Sequence, residues 1–305
     1  MKRAKIALSA ALSAALIALT LAACGKTARS PSDQAGKLKV SVSFNALKEI
    51  ASAVGGEYVD IATIIPDGTE PHEFEPKAQD MAALSRAAIF VYNGFGLEKW
   101  APQAIEVAGN KALVAVDASE GAEPIALEGE EAIEHGNTDP HLWLSIKGAE
   151  IETRNVAKAF AKADPAHAAA YGKNADAFVA ELESLYAEYA PKMKAAPSRA
   201  IVTGHAAFGY LCRDFGLEQN SVEDVFASGE PTPQQLAKLV EFAKAKKVKT
   251  IFTEEMASPA VSKTLASELG AKVETIYTME SAEDGKTYLD RMRHNLDAIC
   301  ASLSE

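Results

Sequence analysis

The stretch PAHAAAYGKNADAFVAELESLYAEYA, residues 165–190, decides how the rest of the chain is read. Tyr171, Phe178, Leu182, Leu185 and Tyr189 recur at spacings of three, four and seven, which places them on one apolar face of a helix. Asp164 stands where an N-cap belongs and Pro165 suits the first helical position, with an extension past Pro191 towards Ala196. At ~1.5 Å per residue such a helix spans roughly 39 Å, the width of a small domain. It divides the chain into two halves of similar length, each long enough to bury a core of its own.

Outward from this spine, both halves alternate strand and helix. In the first, residues 38–44 and 57–65 read as strands flanking a helix that Asn45 can cap. A helix over 77–86, a strand over 88–92, a helix over 100–108 and a strand over 112–117 follow, and a further helix starts at Ile146. In the second, strands at 198–203, 248–253 and 271–277 and a strand or extended segment at 218–226 alternate with helices at 206–215, 259–269 and 285–302 and with one that residues 230–233 lead into and that ends at 246. The expected fold class is α/β, with parallel sheets covered on both faces.

The 305 residues carry 31 Lys and Arg against 42 Asp and Glu, a net charge of -11. This balance argues against nucleic acid as a partner and mildly favours cations. At the other end of the chain, Lys2, Arg3 and Lys5 precede an apolar run over 6–23, the pattern of an export signal, with a membrane anchor as the rival reading. Leu21-Ala22-Ala23-Cys24 resembles a bacterial lipobox, in which Cys24 becomes the lipidated N-terminus, and residues 25–36 read as a flexible tether. The expected division is therefore signal 1–23, lipidated Cys24 and tether 24–36, first lobe 37–163, linking helix 164–196 and second lobe 197–305. The two remaining cysteines, Cys212 and Cys300, are either a disulfide of an exported protein or two separate buried thiols.

Of the six histidines, five fall into two groups and His135 stays undecided. His167, in the first turn of the spine, and His294, on the closing helix, read as surface residues. His72 lies in TEPHEFEP (69–76), a loop stiffened by prolines after a strand; His141 lies in DPHLWLS (139–145), where Asp139 can orient its ring or cap the following helix; His205 stands at the end of a strand. Glu280 occupies another strand-end loop. Residues 119–136 hold six Glu and His135, an acidic loop with an accessory role in gathering cations open to it.

TEPHEFEP, DPHLWLS, VTGHAAFGYLCRDFGL (202–217) and EPTPQQLAKL (230–239) followed by VKTIFTEE (248–255), together with a long helix after the second motif, resemble the metal-binding lipoproteins of bacterial ABC importers, the zinc- and manganese-binding solute-binding family 9. The resemblance covers nearly everything after the tether. It implies two Rossmann-like lobes joined by one long helix, with a metal in the interlobe cleft held by His72, His141, His205 and Glu280. Many relatives place Asp where Glu280 stands, and Glu254 or Glu255 is the alternative carboxylate. It further implies an extracytoplasmic monomer, anchored in the bilayer through acylated Cys24, that passes its ion to a membrane permease.

Three imidazoles and a carboxylate fill a four-coordinate shell and leave no position for an activated water. Such a shell suits Zn2+, with Mn2+ as the competitor, since manganese leans to oxygen donors. A secreted zinc hydrolase would need an open position and a general base, and no HExxH pair is present. An adhesion lipoprotein with a structural metal is the remaining alternative.

Overall fold

Each half of the chain builds a four-stranded parallel sheet, and the two sheets share one strand order. The computed structural model describes residues 36–127, 137–227, 231–256, 259–282 and 285–305. The first sheet runs β2-β1-β3-β4, from β1 (Leu38–Val42), β2 (Val59–Thr63), β3 (Ile89–Tyr92) and β4 (Val114–Asp117). The second runs β6-β5-β7-β8, from β5 (Ala200–Thr203), β6 (Glu218–Ser221), β7 (Thr250–Glu254) and β8 (Lys272–Ile276). In both, the chain leaves the first strand to one side and returns on the other, so each sheet has a topological switch point at its carboxyl edge, where ligands of open α/β sheets gather. β5 and β7 are buried along their whole length, as expected of central parallel strands with helices on both faces.

The helices are α1 (Asn45–Gly55), α2 (Ala78–Leu84), α3 (Ala101–Ala108), α4 (Ile146–Ala163), α5 (Ala168–Ala195), α6 (Gly209–Phe215), α7 (Pro233–Lys246), α8 (Ala260–Leu269) and α9 (Tyr288–Ser302). Their ends follow local chemistry. Thr232 and Gln235 form a capping box before α7, Thr287 and Asp290 another before α9, and Gly270 closes α8 in the left-handed conformation.

The spine is α5. It buries Tyr171, Phe178, Leu182, Leu185, Tyr189 and Met193 on the face the spacing predicts. It runs through Pro191 and stops at Ala195, because Ala196 precedes Pro197 and takes the extended backbone that proline imposes on its neighbour. Its start differs from expectation. Pro165–His167 form a 3-10 turn, and the Asp164 carboxylate, instead of capping backbone N–H groups, accepts from the Tyr171 hydroxyl (2.8 Å) and bonds His167 Nδ1 (2.6 Å). His167 is accordingly no surface residue but half-buried, stacked on Tyr58 with ring centroids 4.2 Å apart. His294 is exposed, as read.

The expectation of one core per half needs correction. The largest apolar cluster runs through both, joining Val42, Phe44 and Leu47 to Leu182 and Tyr189 on the spine and to Phe208, Phe252 and Leu296 beyond it. Smaller clusters flank it, one around Leu239, Ile251 and Leu265 and another around Ile64, Phe90 and Ala104. A single amphipathic helix that packs on α1 and α4 of the first half and on α6 and α9 of the second cannot avoid fusing their cores. Cys212 and Cys300 are both free thiols, so the disulfide is not formed. Cys212 is buried on α6 and Cys300 half-buried in the last turn of α9, each spent on packing against the shared core. Burial alone pushes the Cys212 thiol far up, which makes it inert. Cys24 and His135 lie outside the described residues, and among these no helix is long and apolar enough to cross a membrane.

Candidate metal centre

Four loops leave the carboxyl edges of the sheets and meet. His72 sits after β2, where Pro66 and Pro71 accept from Thr69 and Phe74 in successive tight turns. His141 follows β4, held by Asn93 Nδ2, which donates to the Pro140 carbonyl at 2.8 Å. His205 comes two residues after β5, and Glu280 follows β8. These residues each offer one donor atom, and the four atoms all lie within 4.8 Å of one another. His141, His205 and Glu280 are buried, and the His72 side chain is only 2% exposed.

The ring nitrogens define the geometry. His141 Nε2 lies 3.1 Å from His72 Nε2 and 3.3 Å from His205 Nε2. Donors placed tetrahedrally at ~2.0–2.1 Å from a zinc ion are about 3.3–3.4 Å apart, so these spacings fit a common central ion. The His141 tautomer is fixed from behind. Asp139 Oδ1 already accepts the His141 backbone N–H at 2.9 Å, so Nδ1, also at 2.9 Å, donates to it and leaves Nε2 as a bare lone pair facing the other two rings. Asp139 therefore orients the ring, and the cap of α4 falls to Ser145, whose Oγ accepts from the Gly148 N–H. Glu280 Oε2 accepts from the Thr278 hydroxyl at 3.0 Å, while its Oε1 is buried with no hydrogen-bond partner among the described residues. A buried, unmatched carboxylate oxygen beside three imidazoles is what a cation would satisfy.

Charge around the cluster is arranged for the same purpose. Burial pulls the His205 pKa down, but Glu254, Glu280 and Glu70 outweigh it and hold the ring at about 9. Burial raises Glu280 to about 8, and it drives His141 well below the ordinary histidine range, with His205 adding to the effect. Asp139 is likewise lifted by burial, to about 7. The metal-free cluster thus stores protons on His205 and Glu280 while keeping His141 neutral.

The two alternative carboxylates stand elsewhere. Glu254 Oε1 accepts the His205 backbone N–H at 3.1 Å and lies 3.7 Å from Nδ1, the side of the ring turned away from the cluster. Gly204 is what admits it, since a Cβ there would sit 1.9 Å from Glu254 Oε2. Glu255 accepts from the backbone N–H groups of Thr278 (2.8 Å) and Met279 (3.0 Å), so it holds the loop that bears Glu280. Trp143, read only as part of an apolar turn, is fully buried and donates its indole N–H to the Thr278 carbonyl at 2.7 Å. Sequence reading gave these residues no such roles, because each contact joins positions far apart in the chain.

Residues 40–302 match the family model described as "Zinc-uptake complex component A periplasmic". The chain belongs to this family of zinc-uptake components. Its members are substrate-binding proteins of ABC importers, not enzymes. Among curated relatives, the chain is 45% identical over 292 residues to a metal-binding candidate of Treponema pallidum (strain Nichols), covering 93% of this chain and 92% of that one. It is 36% identical over 303 residues to the high-affinity zinc uptake system protein ZnuA of Bacillus subtilis (strain 168), covering 93% and 94%. Manganese ABC transporter substrate-binding lipoproteins of streptococci are also related, at 31–32% identity. The solved structure of the laminin binding protein Lmb of Streptococcus agalactiae, described as bifunctional with adhesin and metal transporting activity, superposes with a TM-score of 0.80 at 34% identity, covering 88% of this chain and 99% of that one.

Proposed function

We propose that this protein captures Zn2+ outside the cytoplasm through His72, His141, His205 and Glu280 and hands it to the membrane permease of an ABC importer. The observation that carries the reading is the convergence of these four donor atoms, from four loops of two lobes, within 4.8 Å. Three nitrogens and one oxygen favour zinc over manganese, which prefers oxygen-rich shells, and the 3.1 and 3.3 Å nitrogen spacings suit a small tetrahedral ion. A filled shell binds and does not activate water, in keeping with a carrier.

The remaining features serve capture and delivery. Residues 37–163 act as one lobe, 164–196 as the linking helix and 197–305 as the other lobe. Acylated Cys24, beyond the described residues, holds the monomer beside the bilayer where the permease lies. Glu254, Glu70 and Glu280 draw the cation in, and the proton that His205 carries in the metal-free protein leaves as the ion enters. Manganese carriage is the second reading, supported by the manganese-named relatives. Elemental analysis of the purified protein and of His205→Ala, with zinc and manganese in competition, tests both. Zinc at one equivalent, lost in the variant and not displaced by excess manganese, is the expected result. Manganese retained in preference to zinc overturns the choice of metal, and no metal in either sample overturns the capture reading.

A further inference from the structure

The loop that presents Glu280 belongs by connectivity to the second lobe, yet five of its hydrogen bonds reach it from the first. Trp143 Nε1 donates to the Thr278 carbonyl at 2.7 Å. Asn45 Nδ2 donates to the carbonyls of Met279 (3.3 Å) and Ser281 (3.2 Å), clasping Glu280 from both sides. The Gly68 N–H donates to Ser281 Oγ at 3.1 Å, and the Ala282 N–H donates to Asp67 Oδ1 at 3.2 Å. From its own lobe the loop's backbone gives two N–H bonds to Glu255, exchanges two bonds with the Asn295 amide at Tyr277, and accepts the Gly285 N–H at the Ala282 carbonyl. Within this clasp Met279 is driven to a φ of +62°, a left-handed conformation that a non-glycine residue adopts only when its surroundings enforce it. Asn45 is 1% exposed and Trp143 fully buried, so neither side chain can trade these bonds for water. Asn45 is the first residue of α1, where an asparagine is expected to cap; instead its amide is spent across the lobe boundary.

We propose that Asn45 and Trp143 are positioning residues for the fourth metal donor. They build the Glu280 loop from the opposite lobe, so that the carboxylate is held at the imidazole cluster before a metal arrives. The inference rests on the reading of Glu280 as a ligand, and a double-mutant design separates the two. Zinc affinity is measured by competition with a chromophoric chelator, and zinc release by stopped flow. The proteins are the full chain, Asn45→Ala and Trp143→Phe, each with and without Glu280→Ala. With Glu280 present, each substitution should weaken zinc binding about tenfold and speed its release, the scale typical of lost outer support for a ligand. In the Glu280→Ala background the same substitutions should change affinity by less than about twofold, because there is no donor left to position. Equal losses in both backgrounds would show that the residues serve the fold alone, and unchanged affinity with Glu280 present would show that they position nothing; either overturns the proposal. If Glu280→Ala itself leaves zinc affinity unaltered, the ligand assignment fails, and this inference with it. Asn45→Leu, which keeps the approximate size but has no donor, should reproduce the loss seen for Asn45→Ala.

Discussion

Zinc affinity should climb steeply between pH 6 and pH 8, in a window set by the neighbours of His205 and not by ordinary histidine. A free imidazole titrates near ~6.5, which taken alone places the loss of affinity in mildly acidic solution. In the structure His205 is held at about 9 and Glu280 at about 8. Both are raised, so the metal-free protein holds protons that the loaded form cannot, and affinity is lost as pH falls first through 9 and then through 8. At pH 7 His205 lies two pH units below its midpoint and Glu280 one. At ~1.4 kcal/mol per unit, zinc works against about 4 kcal/mol of proton affinity, a factor of roughly 1,000 in Kd. His141 adds nothing to this, because burial already keeps it neutral. The expected slope between pH 6 and 8 is one to two decades of Kd per pH unit. Calorimetry at pH 7 in buffers of different ionisation enthalpy should register one to two protons released per zinc. A Kd that is flat from pH 6 to pH 8, or binding without proton release at pH 7, would refute the electrostatic reasoning.

Gly204→Ala should push Glu254 off His205, since the new Cβ would stand 1.9 Å from Glu254 Oε2; an affinity loss of roughly 10–100-fold, with the pH window moved downward, is expected in chelator competition. Leu182→Ala, on the buried face of α5, should cost about 2–5 kcal/mol in denaturant unfolding while leaving zinc affinity within about threefold, because the side chain touches the core and not the cluster. Zinc at ~1,000 times its Kd should raise stability by about 4 kcal/mol, and chelation should remove that increment reversibly. Unfolding on chelation alone would favour a structural metal. Small-angle scattering curves of metal-free and zinc-loaded protein should overlay, and a large increase in radius of gyration on metal removal would show that the lobes rotate apart.

Local patterns carried the architecture into the sequence. The spacing of Tyr171, Phe178, Leu182, Leu185 and Tyr189 marks the spine, and the alternation on either side marks two parallel sheets. The three imidazoles stand out in loops beyond strands, the resemblance to the importer lipoproteins joins Glu280 to them, and the structure brings the four donors together. What escaped is whatever depends on partners remote in the chain. Asn45 reads as a cap because Asn often caps; its actual partners lie 234 and 236 positions away. Glu254, Glu255 and Glu280 are indistinguishable as strand-end carboxylates, and they differ only in what they face: the back of a ring, two backbone N–H groups, or the cluster itself. The fused core is invisible for a similar reason, since periodicity shows that a face is apolar but not how many neighbours it serves.

The shared strand order gives the cross-lobe bonds a common logic. β4 and β8 are the last strands of equivalent sheets, and the loop after each carries a member of the cluster, His141 or Glu280. Each of these loops is braced by the other lobe. Trp143 and Asn45 hold the loop after β8, and Tyr210, on α6, reaches back so that its hydroxyl donates to the Asp139 carbonyl (2.7 Å) while accepting the Ile125 N–H (3.0 Å). Ser145 Oγ donating to Asp214 at 2.6 Å and Tyr288 donating to the Trp143 carbonyl at 2.6 Å tie the lobes further. At roughly 0.5–1.5 kcal/mol net for each bond, with more for those to charged groups, rotating one lobe away would sacrifice several kcal/mol before any of the shared apolar core is exposed. Shifting one strand-end loop breaks fewer of these bonds and leaves the core closed. For the delivery proposed above, local loop movement at His205 or Glu280 is therefore the less costly route, in which a permease would need only to compete for one or two donors.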